Sequence, residues 1–207
     1  MNAFGGAVFD KDGKLVIDSP ATVASLNQMM TWYKKDGVLP TEPSEALVSS
    51  MFNEGKAAMV INGPWFVGEI DKKINYGLAV LPVVDAAKKP MRPWLTIEGA
   101  YVAASSSKKE TAYELAKFLT SEEAGLVLAV EGRQLHTNKN VYNNPAVGGD
   151  PVLKAFRDQL ENAEPMPNRP EMTMVWSPAT TAMNKIVKGN ASVEAALKEA
   201  AGTMQDS

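Results

Sequence analysis

A chain of 207 residues with 45% hydrophobic and 22% charged content holds enough apolar material for one good core or two small ones. A net charge of −3 argues against a sequence-independent grip on nucleic acid, which needs clustered Lys and Arg. With no cysteine, disulfides, thiolate metal sites and thiol catalysis are excluded, and a single histidine removes the usual His-based triads unless His136 itself serves.

The residues flanking that histidine (Gln134, Leu135, Thr137 and Asn138) supply no catalytic partner pattern, so His136 reads as a surface or loop residue. No apolar run reaches the length of a membrane span. Met1-Asn2-Ala3-Phe4 lacks the basic start and long apolar stretch of a secretory signal, so the expectation is a cytosolic protein or a targeting segment outside this sequence. Eleven methionines are many, and Met166, Met172 and Met174 cluster; Met fills irregular gaps and also lines adaptable binding surfaces.

In chain order, Ala7-Val8-Phe9 and Leu15-Val16-Ile17 flank Asp12-Gly13, a strong hairpin signal. Asp10 and Asp12 resemble the start of a calcium loop, but the Gly comes too early and no Glu closes it, so a turn is expected and no metal. Ser19-Pro20 caps and opens a helix to about Lys35, with Val23, Leu26, Met30 and Tyr33 on its buried face and Trp32 at the rim. Pro40 and Pro43 mark a loop, and Ser44 opens a helix through Phe52 that Gly55 closes. Ala57–Ile61 reads as a buried strand leading to Asn62-Gly63-Pro64-Trp65, where Gly63 allows a sharp turn and Pro64 suits the first position of a short helix through Ile70. That places Trp65 at a strand-to-helix junction, the position at which open α/β sheets meet ligands. Leu78–Leu81 is a further expected strand, ended by Pro82.

Beyond Pro82 the texture changes. A Lys/Pro-rich loop over Asp85–Pro93 precedes an expected strand at Gly99–Ala104. Ser105-Ser106-Ser107 is expected to cap a helix carrying Ala112, Leu115, Ala116 and Leu119. Thr120 with Glu123 matches a capping box for the next helix, to about Val130. After a flexible passage over Asn143–Gly149, Asp150-Pro151 opens a helix through about Glu161. Pro165, Pro167 and Pro170 stiffen a loop leading into a helix that bears Met172, Val175 and Trp176 and runs to about Lys188. A last amphipathic helix, Asn190 to Ala201, has Gly202 behind it; Ser192 serves as its cap and explains the sequon-like Asn190-Ala191-Ser192. Helix and strand alternate over the first eighty or so residues, which is the pattern of an α/β fold.

Phe52-Asn53-Glu54-Gly55-Lys56-Ala57-Ala58-Met59 followed by Asn62-Gly63-Pro64-Trp65 resembles periplasmic solute-binding proteins of sugar ABC transporters. Ile74-Asn75-Tyr76-Gly77 with Val80-Leu81-Pro82, and Met166-Pro167-Asn168-Arg169-Pro170-Glu171-Met172 ending at Trp176, narrow the resemblance to the maltose/maltodextrin-binding group, specifically to the second half of its members. The resemblance implies an α/β fold of the type II periplasmic-binding kind, with one lobe nearly complete and a segment of the other. Residues 1–82 and 150–207 would form the C-terminal-type lobe, and 83–149 an incomplete helical segment of the N-terminal-type lobe. The rest of that lobe would come from a preceding part of the polypeptide or another chain, making this sequence a fragment, a split chain or a piece of a larger protein.

By the same resemblance, Trp65 and Trp176 stack on the apolar faces of sugar rings and Met166 touches the ligand. Glu45 stands near the position where family members place another aromatic, and Ser177 and Thr180 follow Trp176 where maltose-binding relatives offer a Tyr and then an Arg. The implied ligand is a maltodextrin-type oligosaccharide, the implied partners are ABC permease transmembrane subunits, and the implied location is periplasmic or extracytoplasmic. No cofactor is implied. Two other readings stay open on the residues alone. One is a non-binding interaction domain of a permease. The other is a sugar-acting enzyme using carboxylates such as Glu45, Glu54, Glu69 and Glu98, for which the sequence gives no pair of defined separation.

Overall fold

The computed structural model describes residues 1–40 and 44–206; Pro43, expected to mark a loop, lies outside them. Several helices begin at a side-chain cap. Ser19 Oγ accepts from the Thr22 amide ahead of α1 (Pro20–Met30), which runs on into a π-helical turn over Thr31–Lys35. Ser44 Oγ accepts from the Leu47 amide at 3.2 Å ahead of α2 (Glu45–Asn53), and a 3-10 turn follows at Pro64–Glu69. Two short antiparallel strands pair around the expected Lys/Pro-rich loop, β1 (Val83–Val84) just before it and β2 (Lys89–Pro90) within it. Then come β3 (Trp94–Leu95), α3 (Lys109–Leu119), α4 (Glu122–Val130), α5 (Pro145–Gly148), α6 (Pro151–Leu160) and β4 (Glu164–Pro165). A 3-10 turn over Pro170–Met174 leads into α7 (Trp176–Lys188), and α8 (Val193–Gln205) closes the chain behind the Ser192 cap.

The described chain divides into two compact units: Met1–Glu42 with Leu81–Leu95 and Asn162–Ser207, and Pro43–Val80 with Thr96–Glu161. In the first, α7 and α8 pack as a helical hairpin through Val175, Ala182, Ile186, Ala196, Leu197, Ala200 and Met204, with Val8 and Ile17 from the N-terminal hairpin in the same core. That hairpin is as expected a turn: the Asp10 carboxylate accepts from the Asp12 and Lys14 amides at 2.9 and 2.8 Å, and Phe9 bridges Leu15. β3 and β4 pair in parallel, Trp94 opposite Glu164 and Leu95 opposite Pro165. In the second unit a smaller core gathers Ala129, Val141, Val147 and Leu153. His136 is a loop residue there: its Nδ1 accepts from the Asn138 amide, and the Tyr142 hydroxyl donates to its backbone carbonyl. Within the second unit, Asn53 and the Phe52–Phe66 ring pair tie α2 to the 64–69 turn.

Several local expectations give way to specific interactions. The cap of α4 is Ser121, whose Oγ accepts from the Ala124 amide at 3.2 Å, while Thr120 turns back to the Ala116 and Lys117 carbonyls and finishes α3. The Ser105–Ser107 run does not cap α3; Lys108 precedes it, and Ser106 Oγ accepts from the Lys108 amide. Gly202 does not stop α8, because Met204 beyond it is buried in the first core and the helix continues to bring it there. The expected strands at 57–61, 78–81 and 99–104 carry no ladder among the described residues. Their composition suits a pleated surface, but a strand exists only against a neighbour to bond with.

Asp150 caps α6 by accepting from the Val152 and Leu153 amides at 2.8 and 3.1 Å, and pairs with Arg133. Burial raises the pKa of this carboxyl, only 13% exposed, but the two amides and the guanidinium outweigh it and hold it below the ordinary carboxylate value. A folded-state pKa below the unfolded one gives stabilisation that is present above the unfolded value and lost as pH falls through the folded one. Asp150→Ala is expected to destabilise the second unit by about 1 kcal/mol at neutral pH. Asp150→Asn keeps a capping oxygen and removes this site's share of acid sensitivity. Denaturant melts of the three proteins at neutral and acidic pH check both outcomes.

Candidate functional site

Trp176 opens α7, directly after the Pro170–Met174 turn, and its indole is 50% exposed while Met172 and Val175 beside it are buried. The proline-stiffened loop before it is fastened to the N-terminal hairpin by Arg169. That guanidinium lies 5.2 Å from the Phe9 ring centroid and pairs with Glu171 at 3.1 Å. It also covers Gly13, where φ is +83° and any Cβ would collide with it. The contact to Arg169 holds the Glu171 carboxyl below the usual range. Met166 belongs to the same loop. Its amide donates to the Leu95 carbonyl at 3.0 Å, and its half-buried side chain packs against the first core.

Beside Trp176 stands Trp94, on β3. The two ring centroids are 5.9 Å apart with planes at 88°, an edge-to-face pair of the kind worth about 0.5–1.5 kcal/mol beyond its buried area. From sequence Trp94 reads as a packing or rim residue. It does pack against the core, but it also touches the candidate site residue, and no local pattern announces a contact between residues so far apart in the chain.

Trp65 lies in the second unit, on the Pro64–Glu69 turn, 54% exposed. Its indole folds back over the backbone of Gly63, where a Cβ would strike the ring. Glycine is needed here for space, since its backbone (φ −91°, ψ 177°) is ordinary extended chain. Phe66 is buried against Phe52, centroids 6.0 Å apart, and anchors the turn from below. Asn53, at the end of α2, clamps the turn's far end: its Nδ2 donates to the Glu69 carbonyl at 2.9 Å and its Oδ1 accepts from the Asp71 amide at 2.8 Å. Asn53 falls within the Phe52–Met59 motif, and its position at a helix end, where Asn side chains bond to nearby backbone, is the sequence signal for this role.

Glu45 is the first residue of α2 and exposed, an acidic side chain at the positive end of the helix dipole. Glu54 is engaged by Lys56 at 2.5 Å and Ser50 at 2.6 Å, and these contacts lower its pKa, which does not suit a general acid. Among the described residues no group of three or more His, Cys, Asp or Glu is placed to hold a metal ion, and no helix is long and apolar enough to cross a membrane. The described residues offer two exposed indoles, Trp176 beside the Trp94 ring in the first unit and Trp65 over Gly63 in the second.

The model of the family described as bacterial extracellular solute-binding protein matches residues 1–126. The chain belongs to that family. It is 33% identical to the galactooligosaccharide-binding protein of Bacillus subtilis (strain 168), over 98% of this chain and 51% of that protein. It is 31% identical to the maltotriose-binding protein of Pyrococcus abyssi, over 95% of this chain and 45% of that one. Among solved structures, the maltose-maltodextrin binding protein of Alicyclobacillus acidocaldarius superposes with a TM-score of 0.90 at 28% identity, covering 99% of this chain and 57% of that chain. The family member thus has the α/β fold of the periplasmic binding proteins, over about half the length of the curated relatives it matches.

Gly63→Ala is expected to push the Trp65 indole off its seat while leaving the second-unit core intact. Stern–Volmer quenching of that indole rises, with the melting transition shifted little. Asn53→Ala leaves the Asp71 amide without its acceptor and is expected to destabilise the turn by about 1–2 kcal/mol. Hydrogen exchange of the Asp71 amide reports that loss.

Proposed function

We propose that this chain is the second half of an extracytoplasmic solute-binding protein that takes maltodextrin-like oligosaccharides and delivers them to ABC permease transmembrane subunits. Its role is binding, without catalysis. The observation that carries the reading is the exposed Trp176 plane at the start of α7, next to the stiffened Met166 loop, in a chain whose relatives are oligosaccharide-binding proteins. Sugar rings present C–H-rich faces, and an exposed indole held in place is an apolar plane to match them. In this reading Trp176 and Trp65 each stack on a sugar ring, Met166 packs against the ligand's flank, and Glu45 offers its carboxylate to sugar hydroxyls where relatives place an aromatic.

The lobe assignment is part of the proposal: residues 1–82 and 150–207 as the C-terminal-type lobe, 83–149 as part of the other, completed by a further lobe from the same or another polypeptide. The apolar side chains left open in the second unit support a covering partner. Met59, Ile61, Ile97 and Tyr101 are exposed, and neither α2 nor α3 buries a residue.

Calorimetric titration with maltotriose, with galactooligosaccharide as competitor, tests the sugar. It is run on the chain alone and joined to the first half of a maltodextrin-binding relative. Maltotriose is expected to bind the joined form, and Trp176→Ala or Trp65→Ala to weaken it by about tenfold, the loss of one aromatic–sugar contact. Absence of heat and of any tryptophan response to maltodextrins in the joined form removes this reading.

A further inference from the structure

We infer that Trp94 is a positioning residue for the binding wall: it fixes the plane of Trp176, the indole proposed to stack on sugar. The inference rests on that proposal for its functional meaning, and on the first unit's own geometry for its mechanism. Trp176 is the first residue of α7, and no side chain caps that helix end. A half-exposed indole at a helix start has two side-chain torsions to sample unless a neighbour restricts them. Trp94 is that neighbour, at 5.9 Å and 88°.

Trp94 itself is held from every side. The carbonyls of Pro93 and Leu95, which bracket it, accept from the Glu164 and Met166 amides at 2.9 and 3.0 Å. Its Cα partner in the ladder is Glu164, whose carboxylate pairs with Arg92 at 2.6 Å, and its own ring packs on the core. The strand pair therefore sets Trp94, Trp94 sets Trp176, and the same ladder sets Met166. One short parallel ladder aligns the aromatic wall and the flexible methionine beside it.

If Trp94 only filled core volume, an aliphatic side chain there would serve as well as an aromatic one. Fluorine NMR on the whole chain labelled with fluorotryptophan separates the two roles. The four tryptophans give four resonances, and Trp176→Phe assigns the one of interest. Trp94→Phe keeps an aromatic neighbour, and the Trp176 relaxation rate is expected to stay that of a rigid ring. Trp94→Leu is expected to narrow the Trp176 signal and move it toward free fluorotryptophan. Joined to the first half of a maltodextrin-binding relative, the Leu variant is expected to show a maltotriose Kd raised about two- to tenfold, the range of one aromatic pair, with the Phe variant unchanged. Trp94→Met stands in should the Leu variant fail to fold. Equal Trp176 relaxation in the wild type and both variants overturns the inference and leaves Trp94 a core residue. A joined wild type blind to maltotriose, with Trp176 still freed by Trp94→Leu, overturns the sugar reading and upholds the positioning role.

Discussion

Two backbone hydrogen bonds, from the Glu164 and Met166 amides to the Pro93 and Leu95 carbonyls, govern more of this chain than their number suggests. They close a parallel pair, and parallel strands cannot be joined by a tight turn; the chain must leave after the first and return into the second along a long connection. Everything from Thr96 to Glu161 is that connection, and it folds as part of the second unit. The ladder also sets three side chains at once: Trp94 toward Trp176, Glu164 toward Arg92, and Met166 onto the core. A strand pair two residues long would be marginal by itself. It persists because the α7–α8 hairpin, with Val8 and Ile17 against it, supplies the apolar surface on which Trp94 and Met166 rest.

Interactions reaching a few residues along the chain were legible in the sequence, and those needing a distant partner were not. Ser19, Ser44, Asp150 and Ser192 all cap the helices expected of them, because a short polar side chain before a helix meets an amide two or three residues on. Thr120 and Ser121 show the limit: two adjacent hydroxyls each fit a cap, and the choice went to the one freed when Thr120 bonded back into α3. Gly202 shows another, since burial of Met204 outweighed the weak helix propensity of one glycine. Trp94 and Arg169 carried no local signal at all. Their partners, Trp176 and the Phe9–Gly13 turn, lie too far along the chain for any spacing rule to connect them.

The two units differ in how their apolar residues are satisfied. The first buries two faces of a helical hairpin and leaves Trp176 as a conspicuous exposed indole. The second keeps Leu115, Phe118, Val127, Leu128, Tyr101 and Met59 in solvent and buries a core of four residues. Exposed apolar surface of that extent is the mark of a surface made to be covered. It agrees with a chain that spans about half the length of its relatives.

The two exposed indoles are each prepared within their own unit. Trp176 is set by Trp94 and by a loop whose prolines and Arg169 allow little motion; Trp65 is set by Gly63 beneath it and by Asn53 and Phe66 behind it. Immobilising a rotamer-rich side chain at the moment of binding costs about 0.5–1.5 kcal/mol. On the proposed reading, the contacts around each indole supply that ordering within its own unit before any ligand arrives. Met166 combines a flexible side chain with a backbone held in the ladder, and on the proposed reading it is a contact able to adapt its shape.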